Sequence, residues 1–225
     1  DADLAGEVYA RFGQRINSWL NSLTPAGLLY ETDLRLRPDG ASGLLVSTVA
    51  AFDEYQRGKA WTWEHQALTR ARFCAGDAAI GKAFERIRLD ILTQPRDPAA
   101  LRKEVVEMRQ KMHDGHVNET TLFDLKHDAG GIVDVEFIVQ YLVLAHAARH
   151  PDLAANVGNI ALLERACILG LIPEESAQQT ADAYRAYRRM QHALRLQGQN
   201  KARINVGEVA PMAEAVKALW RFVLE

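Results

Sequence analysis

The run GIVDVEFIVQYLVLAHAA, residues 131–148, constrains the fold more than any other stretch. It comes nearest to a membrane span, but Asp134, Glu136 and Gln140 interrupt it, and no unbroken apolar run of about 18 residues occurs. It reads as a buried helix of a soluble protein. Composition agrees: of 225 residues, 48% are hydrophobic and 25% charged, ordinary for one large globular domain or two small ones. The net charge of −2 argues against a nonspecific nucleic-acid binder, which would be basic, and leaves room for a small nucleotide site. Cys74 and Cys167 lie far apart among apolar neighbours and read as reduced, buried thiols of a cytosolic protein. The opening DADLAGEVYARF has neither initiator Met nor signal peptide, so the chain reads as a piece of something longer.

Around the buried helix the pattern changes once. Leu4, Val8, Phe12, Ile16 and Leu20 predict an amphipathic helix over 1–22, ended by Pro25 and Gly27. Residues 28–37 then alternate. Leu28, Tyr30, Thr32, Leu34 and Leu36 fall on one face of a strand, and Leu29, Glu31, Asp33, Arg35 and Arg37 on the other. PDGASG, 38–43, predicts a turn, and LLVST, 44–48, a second strand that could complete a hairpin. Everything after Thr48 reads as helix: one short helix up to Gly58, another over 60–74, and a third capped by Asp77 and closed by Pro95. Further helices are predicted at 98–113, 132–149, 157–169, 174–197 and 209–224, with an irregular connection over 114–131. The expected class is α+β, mostly helical: a partial sheet within residues 1–75, then a helical bundle over 76–225.

Three places could carry chemistry. Asp33 lies mid-strand on the polar face beside Glu31 and Arg35. It fits a solvated hairpin face with charge pairs, or a metal-binding or basic carboxylate with arginines to hold phosphate. In FDLKHDAGGIVDVEF, 123–137, Lys126 and Gly130–Gly131 precede a helix carrying Asp134 and Glu136. The acids could simply complement the helix dipole and the glycines turn the chain. Alternatively, free N–H groups beside a lysine could hold an anion, though P-loop spacing is absent. Glu64, in WTWEHQALTRAR, needs a partner among its tryptophans, an arginine or Lys126, while His65 reads as a hydrogen-bonded, partly buried histidine and not as a catalytic base. Arg109 could reach a phosphate.

Taken in order, YETDLRLRP, SGLLVS, AWTWEHQALTRAR, EMRQKM and DLKHDAGGIVDVEFIVQYLVL resemble the glutamine synthetase adenylyltransferase family over nearly all of residues 28–145. The resemblance implies an enzyme with two nucleotidyltransferase units. One removes AMP from glutamine synthetase by phosphorolysis; the other transfers AMP from ATP to a tyrosine. AWTWEHQAL looks like the transferring unit. The AMP-removing unit, or a helical module that only docks or regulates, are the alternatives. The family in turn resembles the nucleotidyltransferases of the DNA polymerase beta type, in which a Gly-Ser turn and an Asp-x-Asp pair precede a third carboxylate. Asp33 matches that third position; the earlier motifs have no match here, which puts half of the expected site upstream and predicts a fragment with little or no activity. The implied roles are Mg²⁺ ligation or proton acceptance for Asp33 and phosphate binding for Arg35, Arg37, Lys126, Gly130 and Gly131. Glu64, Arg109, Asp124, Asp134 and Glu136 are implied as supporting groups. ATP is the implied substrate and glutamine synthetase the implied partner. The PII signal protein and glutamine are the implied regulators. The setting is cytoplasmic, without nucleic acid or membrane.

Overall fold

A computed structural model describes residues 2–28, 32–34, 37–40 and 43–225. The chain divides into two compact units: residues 1–67 with 73–91, and residues 68–72 with 92–225.

The first unit opens with α1 (Ala2–Leu20). A tight turn follows, in which Thr24 and Gly27 exchange backbone hydrogen bonds of 3.2 and 2.8 Å, with Gly27 at φ 91°. Thr48 caps α2 (Val49–Gly58) by accepting from the Ala51 N–H at 3.1 Å. Next come α3 (Thr62–Leu68) and α4 (Ala78–Leu92). Asp77 accepts from the N–H groups of Ala79 and Ile80 at 2.8 and 3.2 Å, the expected cap. Packing of α2 on α4 places the Phe52 and Phe84 rings 5.7 Å apart, and Arg57 bridges Asp53 and Asp90.

The second unit is a helical bundle around one central helix. Asp97 caps α5 (Pro98–Asp114), with Pro98 in the first turn, where its missing N–H costs nothing. Strand β1 (Phe123–Asp124) pairs antiparallel with β2 (Arg203–Ile204), Phe123 opposite Ile204 and Asp124 opposite Arg203. Between them in sequence run α6 (Ile132–His146), a 3₁₀ turn at Pro151–Ala154, α7 (Asn159–Ile168) and α8 (Glu174–Leu196). The last helix, α9 (Val206–Leu224), is capped by Asn205. The near-apolar run becomes α6, packed against α5, α7, α8 and α9. Among the described residues no helix is long and apolar enough to cross a membrane.

The class expected from sequence holds, since the fold is α+β and mostly helical, but the sheet is not where alternation put it. Leu28, residues 32–34 and Arg37 are not in a strand, and neither are residues 44–48. Residues 29–31, 35 and 36, Arg35 included, lie outside the described residues. The reason is physical: alternation assigns side chains to faces, whereas a strand also needs a partner ladder, and an isolated hairpin is marginal in water. Instead, the Arg37 guanidinium folds back on its own turn, donating to the Leu34 carbonyl and, at 3.2 Å, to that of Gly43. The helix expected over 60–74 stops at Leu68. Both cysteines are free, but Cys74 is exposed and Cys167 half-buried, so neither is the buried thiol expected.

Candidate functional site

Asp33 is exposed, on the segment between α1 and α2. Its neighbour Thr32 is tied to α1, its hydroxyl 2.9 Å from Asn17 Oδ1 and 2.5 Å from Asn21 Nδ2. Arg37 is committed to the turn just described. Among the described residues no three carboxylate, histidine or cysteine side chains converge as a metal site would require.

Glu64 is buried, but its partners are neither an arginine nor Lys126. Its carboxylate accepts the Tyr55 hydroxyl at 3.0 and 3.1 Å and the Trp61 N–H at 2.8 Å. Trp61 immediately precedes α3 and Glu64 is its third residue, so the acid closes one half of a capping box. Burial, with the Glu64 hydrogen bond and charge adding to it, pushes the Tyr55 hydroxyl above the ordinary phenol range. His65 donates to the Gln56 carbonyl at 2.9 Å, as a hydrogen-bonded histidine should, and is more fully buried than the sequence suggested.

In the second unit the structure gathers the FDLKHDAGGIVDVEF residues tightly. Asp134, in the first turn of α6, reaches backward. Its Oδ2 accepts the Gly130 N–H at 2.6 Å and its Oδ1 pairs with Arg109 Nε at 2.5 Å. Arg109 also donates to the His127 carbonyl at 2.8 Å. The Gly131, Ile132 and Val133 N–H groups donate to the carbonyls of Asp128, Leu125 and Lys126. The phosphate cradle expected of Gly130 and Gly131 therefore has these N–H groups already spent. The glycines instead permit close approach: a Cβ at Gly130, where φ is 88°, would lie 2.6 Å from the Ala213 carbonyl oxygen of α9. At Gly131 it would lie 2.8 Å from the Leu125 carbonyl oxygen.

Asp124 belongs to the same loop. Its Oδ1 accepts the Lys126 and His127 N–H groups at 3.0 and 3.1 Å, and its own N–H donates to Asp128 Oδ2 at 2.8 Å. The Lys126 side chain is exposed. Glu136 turns away from Asp134, as helical spacing requires, and meets a different set. It accepts the Tyr184 hydroxyl at 3.2 Å, and that hydroxyl accepts from Asn159 at 3.0 Å. Burial raises the Glu136 carboxyl above the ordinary carboxylate range despite this hydrogen bond and the charges of Arg188, Lys126 and Arg70.

Sequence reasoning missed Asp128, Tyr184, the His116–His127 ring stack and Arg203. Asp128 does sit four residues after Asp124, a spacing that could have suggested a loop clasp. Arg203 is 79 residues beyond Asp124 in number, and only the β1–β2 pairing brings the two together. No local pattern reports that.

Two family models, both named for nucleotidyl transfer, match this chain over different parts. Residues 99–219, more than half of the chain, match the family model described as GlnD PII-uridylyltransferase. Residues 2–87 match the model described as glutamate-ammonia ligase adenylyltransferase. The chain belongs to the glutamate-ammonia ligase adenylyltransferase family. It is 60% identical over 217 residues to the bifunctional glutamine synthetase adenylyltransferase/adenylyl-removing enzyme of Aromatoleum aromaticum, covering 96% of this chain and 23% of the relative. The enzyme of that name from Bordetella bronchiseptica is 56% identical over 225 residues, 100% of this chain and 24% of the relative. That from Nitrosomonas eutropha is 52% identical over 233 residues, 97% and 25%. The chain thus spans about a quarter of the length of these curated relatives.

Proposed function

We propose that this chain is part of an enzyme that moves AMP from ATP to a tyrosine hydroxyl of glutamine synthetase, in the unit that adds the group. One observation carries the reading: identity of 52–60% across nearly the whole chain to enzymes named for adenylyl transfer to, and removal from, that substrate. The AWTWEHQAL motif supports the adding unit. In this reading residues 1–75 belong with the nucleotidyl-transfer domain and 76–225 form its helical companion. The setting is the cytoplasm, and the PII signal protein and glutamine are regulators.

The transfer makes one P–O bond and breaks another. The tyrosine oxygen attacks the α-phosphorus of ATP, pyrophosphate leaves, and the phenolic proton must pass to a base. Asp33 is the described carboxylate assigned to that role, since it is exposed and its segment is anchored to α1 through Thr32. Arg35 and Arg37 are assigned to phosphate charge and to holding the segment. Mg²⁺ belongs to this reading through the family alone. The described residues do not fit a complete magnesium site, which would take more than one carboxylate in near-octahedral geometry.

The full-length enzyme tests this. Asp33→Ala is expected to abolish AMP transfer from ATP while glutamine synthetase still binds. Turnover at the parent rate would refute the catalytic role and leave a docking module. Assaying the same enzyme with inorganic phosphate and adenylylated substrate separates the adding from the removing unit. Because the relatives are bifunctional by name, loss of the phosphorolytic reaction instead would reassign the unit. Residues 1–225 alone are expected to show little or no transfer.

A further inference from the structure

The second unit holds a cavity of about 220 Å³ whose charges are out of balance. Four cationic side chains line it, from three separate stretches: Lys126 after β1, Arg195 in the last turn of α8, and Lys201 and Arg203 at β2. A single carboxylate, Asp124, faces them. It is largely engaged: Oδ1 holds two backbone N–H groups, and Oδ2 lies 3.6 Å from Arg203 Nε, too far for a hydrogen bond. Lys126, Arg195 and Lys201 form no ion pair among the described residues.

Two further atoms on this wall are shut away from water without a hydrogen-bond partner: His127 Nδ1 and Arg203 Nε. The His127 ring lies flat on that of His116, centroids 4.1 Å apart and planes 4° from parallel. His116 Nδ1 in turn bonds the Met112 carbonyl at the end of α5 at 2.9 Å. Burial first, then the neighbouring His116 and Lys126, with Arg109 adding less, hold His127 below the ordinary imidazole range; Asp124 alone pulls the other way. Helix-dipole complementation accounts for Arg195 in its last turn, but not for the three other cations. Like charges gathered in one concavity repel one another and concentrate anions.

We propose that this cavity binds a multiply charged phosphoanion. Two guanidinium forks suit phosphate oxygens better than a point charge does. At about 220 Å³ the cavity falls below the ~300–1,000 Å³ of sites for drug-sized ligands. It has room for phosphate or pyrophosphate groups, and a nucleoside would have to lie outside. Buried donors that lack a hydrogen bond, such as Arg203 Nε, cost free energy until an acceptor arrives, so the site gains most from an anion with several oxygens. The inference uses the geometry of the second unit alone and does not depend on the adenylyl-transfer reading.

The full chain titrated with inorganic phosphate, pyrophosphate and acetate at matched ionic strength tests it, by calorimetry and by NMR of the imidazole signals. Pyrophosphate is expected to saturate one site, phosphate to bind it more weakly, and acetate not to bind. Bound anion offsets the cationic field, so the His127 titration moves to higher pH. Lys201→Gln and Arg195→Gln, both at exposed side chains, are each expected to weaken pyrophosphate binding about tenfold, the loss of one charge-assisted contact. Lys103→Gln, at an exposed cation of α5 that does not line the cavity, leaves binding unchanged. Absence of saturation, equal binding of acetate, or unaltered affinity in the Lys201 and Arg195 variants would each overturn the proposal.

Discussion

Helices α1 and α6 stand in opposite relations to their own sequences. The first carries an apolar residue at every fourth position, yet Leu4, Val8, Phe12 and Leu20 are 54, 60, 52 and 53% exposed. The second has no clean stripe, yet 11 of its 15 residues are buried. Periodicity reports which face of a helix gains from cover, and near-uniform apolarity reports that every face does. Neither supplies the cover. The α6 helix finds it in α5, α7, α8 and α9 of the same unit. The α1 helix holds its own chain through another seam, one residue on from the stripe and so about 100° round the helix. Gly13 lies against Val46, where a Cβ would approach Cγ2 to 2.9 Å, and Asn17 and Asn21 grip Thr32.

The contrast breaks most visibly at Asp134. An acid that is 5% exposed in the first turn of α6 is tolerable only because Arg109 and the Gly130 N–H hold it. Asp134→Ala removes the partner of a guanidinium that is itself 6% exposed. Stranding a buried charge in this way costs about 3–5 kcal/mol. Urea unfolding followed by helix circular dichroism, with hydrogen exchange at α6 amides, should show that loss concentrated in the second unit. A loss below about 1 kcal/mol would mean that the pair does not fix the start of α6. Replacing both members by apolar residues of similar volume should recover much of the stability, because the desolvation penalty disappears with the charges.

The same pair shows what the sequence could and could not convey. Helices α4, α5 and α7 to α9 were readable from a 3.6-residue period and α6 from its near-uniform apolarity, with Asp77 marking the start of α4 and Pro95 its stop. Those signals act within a few residues. Arg109 and Asp134 are 25 positions apart, and the geometry joining them is set by how α5 packs on α6. The partner of Glu64 was closer in sequence but still hidden. A capping box is recognised by Ser or Thr at its first position, and here Trp61 contributes only its N–H. The strands over 28–37 and 44–48 failed differently: their alternation is real, but a ladder is a relation between two segments. As to the candidate site, alternation could single out Asp33 but not choose between a solvated face and a catalytic carboxylate; that choice came from the resemblance. Asp124, Gly130 and Asp134 all lie in or beside the stretch that the sequence marked for an anion, and their close association is structural: carboxylates and glycines that close a loop on a helix start.

A smaller effect distinguishes Glu136 from Asp134 on the same helix. Burial raises the Glu136 carboxyl, so it binds its proton more tightly folded than unfolded. Between the ordinary carboxylate value and the raised one the folded state holds the extra proton, and stability from this group falls as pH rises through that window. Glu136→Gln removes the titration and keeps an oxygen for the Tyr184 hydroxyl. Urea midpoints from about pH 4 to about pH 7 should therefore show the variant gaining on the parent as pH rises. A variant that loses ground over that range would show that the charged form is stabilised by Arg188, Lys126 and Arg70 more than burial opposes it.

The smallest expected effect falls at the other pole of the comparison. Val8 lies on the α1 stripe and is 60% exposed, so truncation removes little area that folding had taken from water. Alanine is also the better helix former, which offsets part of what remains. Val8→Ala is expected to change the stability of the chain by less than about 0.5 kcal/mol in either direction, read by the same urea unfolding. Leu144→Ala in α6, where the side chain is 1% exposed, supplies the scale for a covered position at about 2–5 kcal/mol. A loss at Val8 approaching that scale would show the α1 stripe to be covered in solution, and equality of the two would end the distinction drawn between the helices.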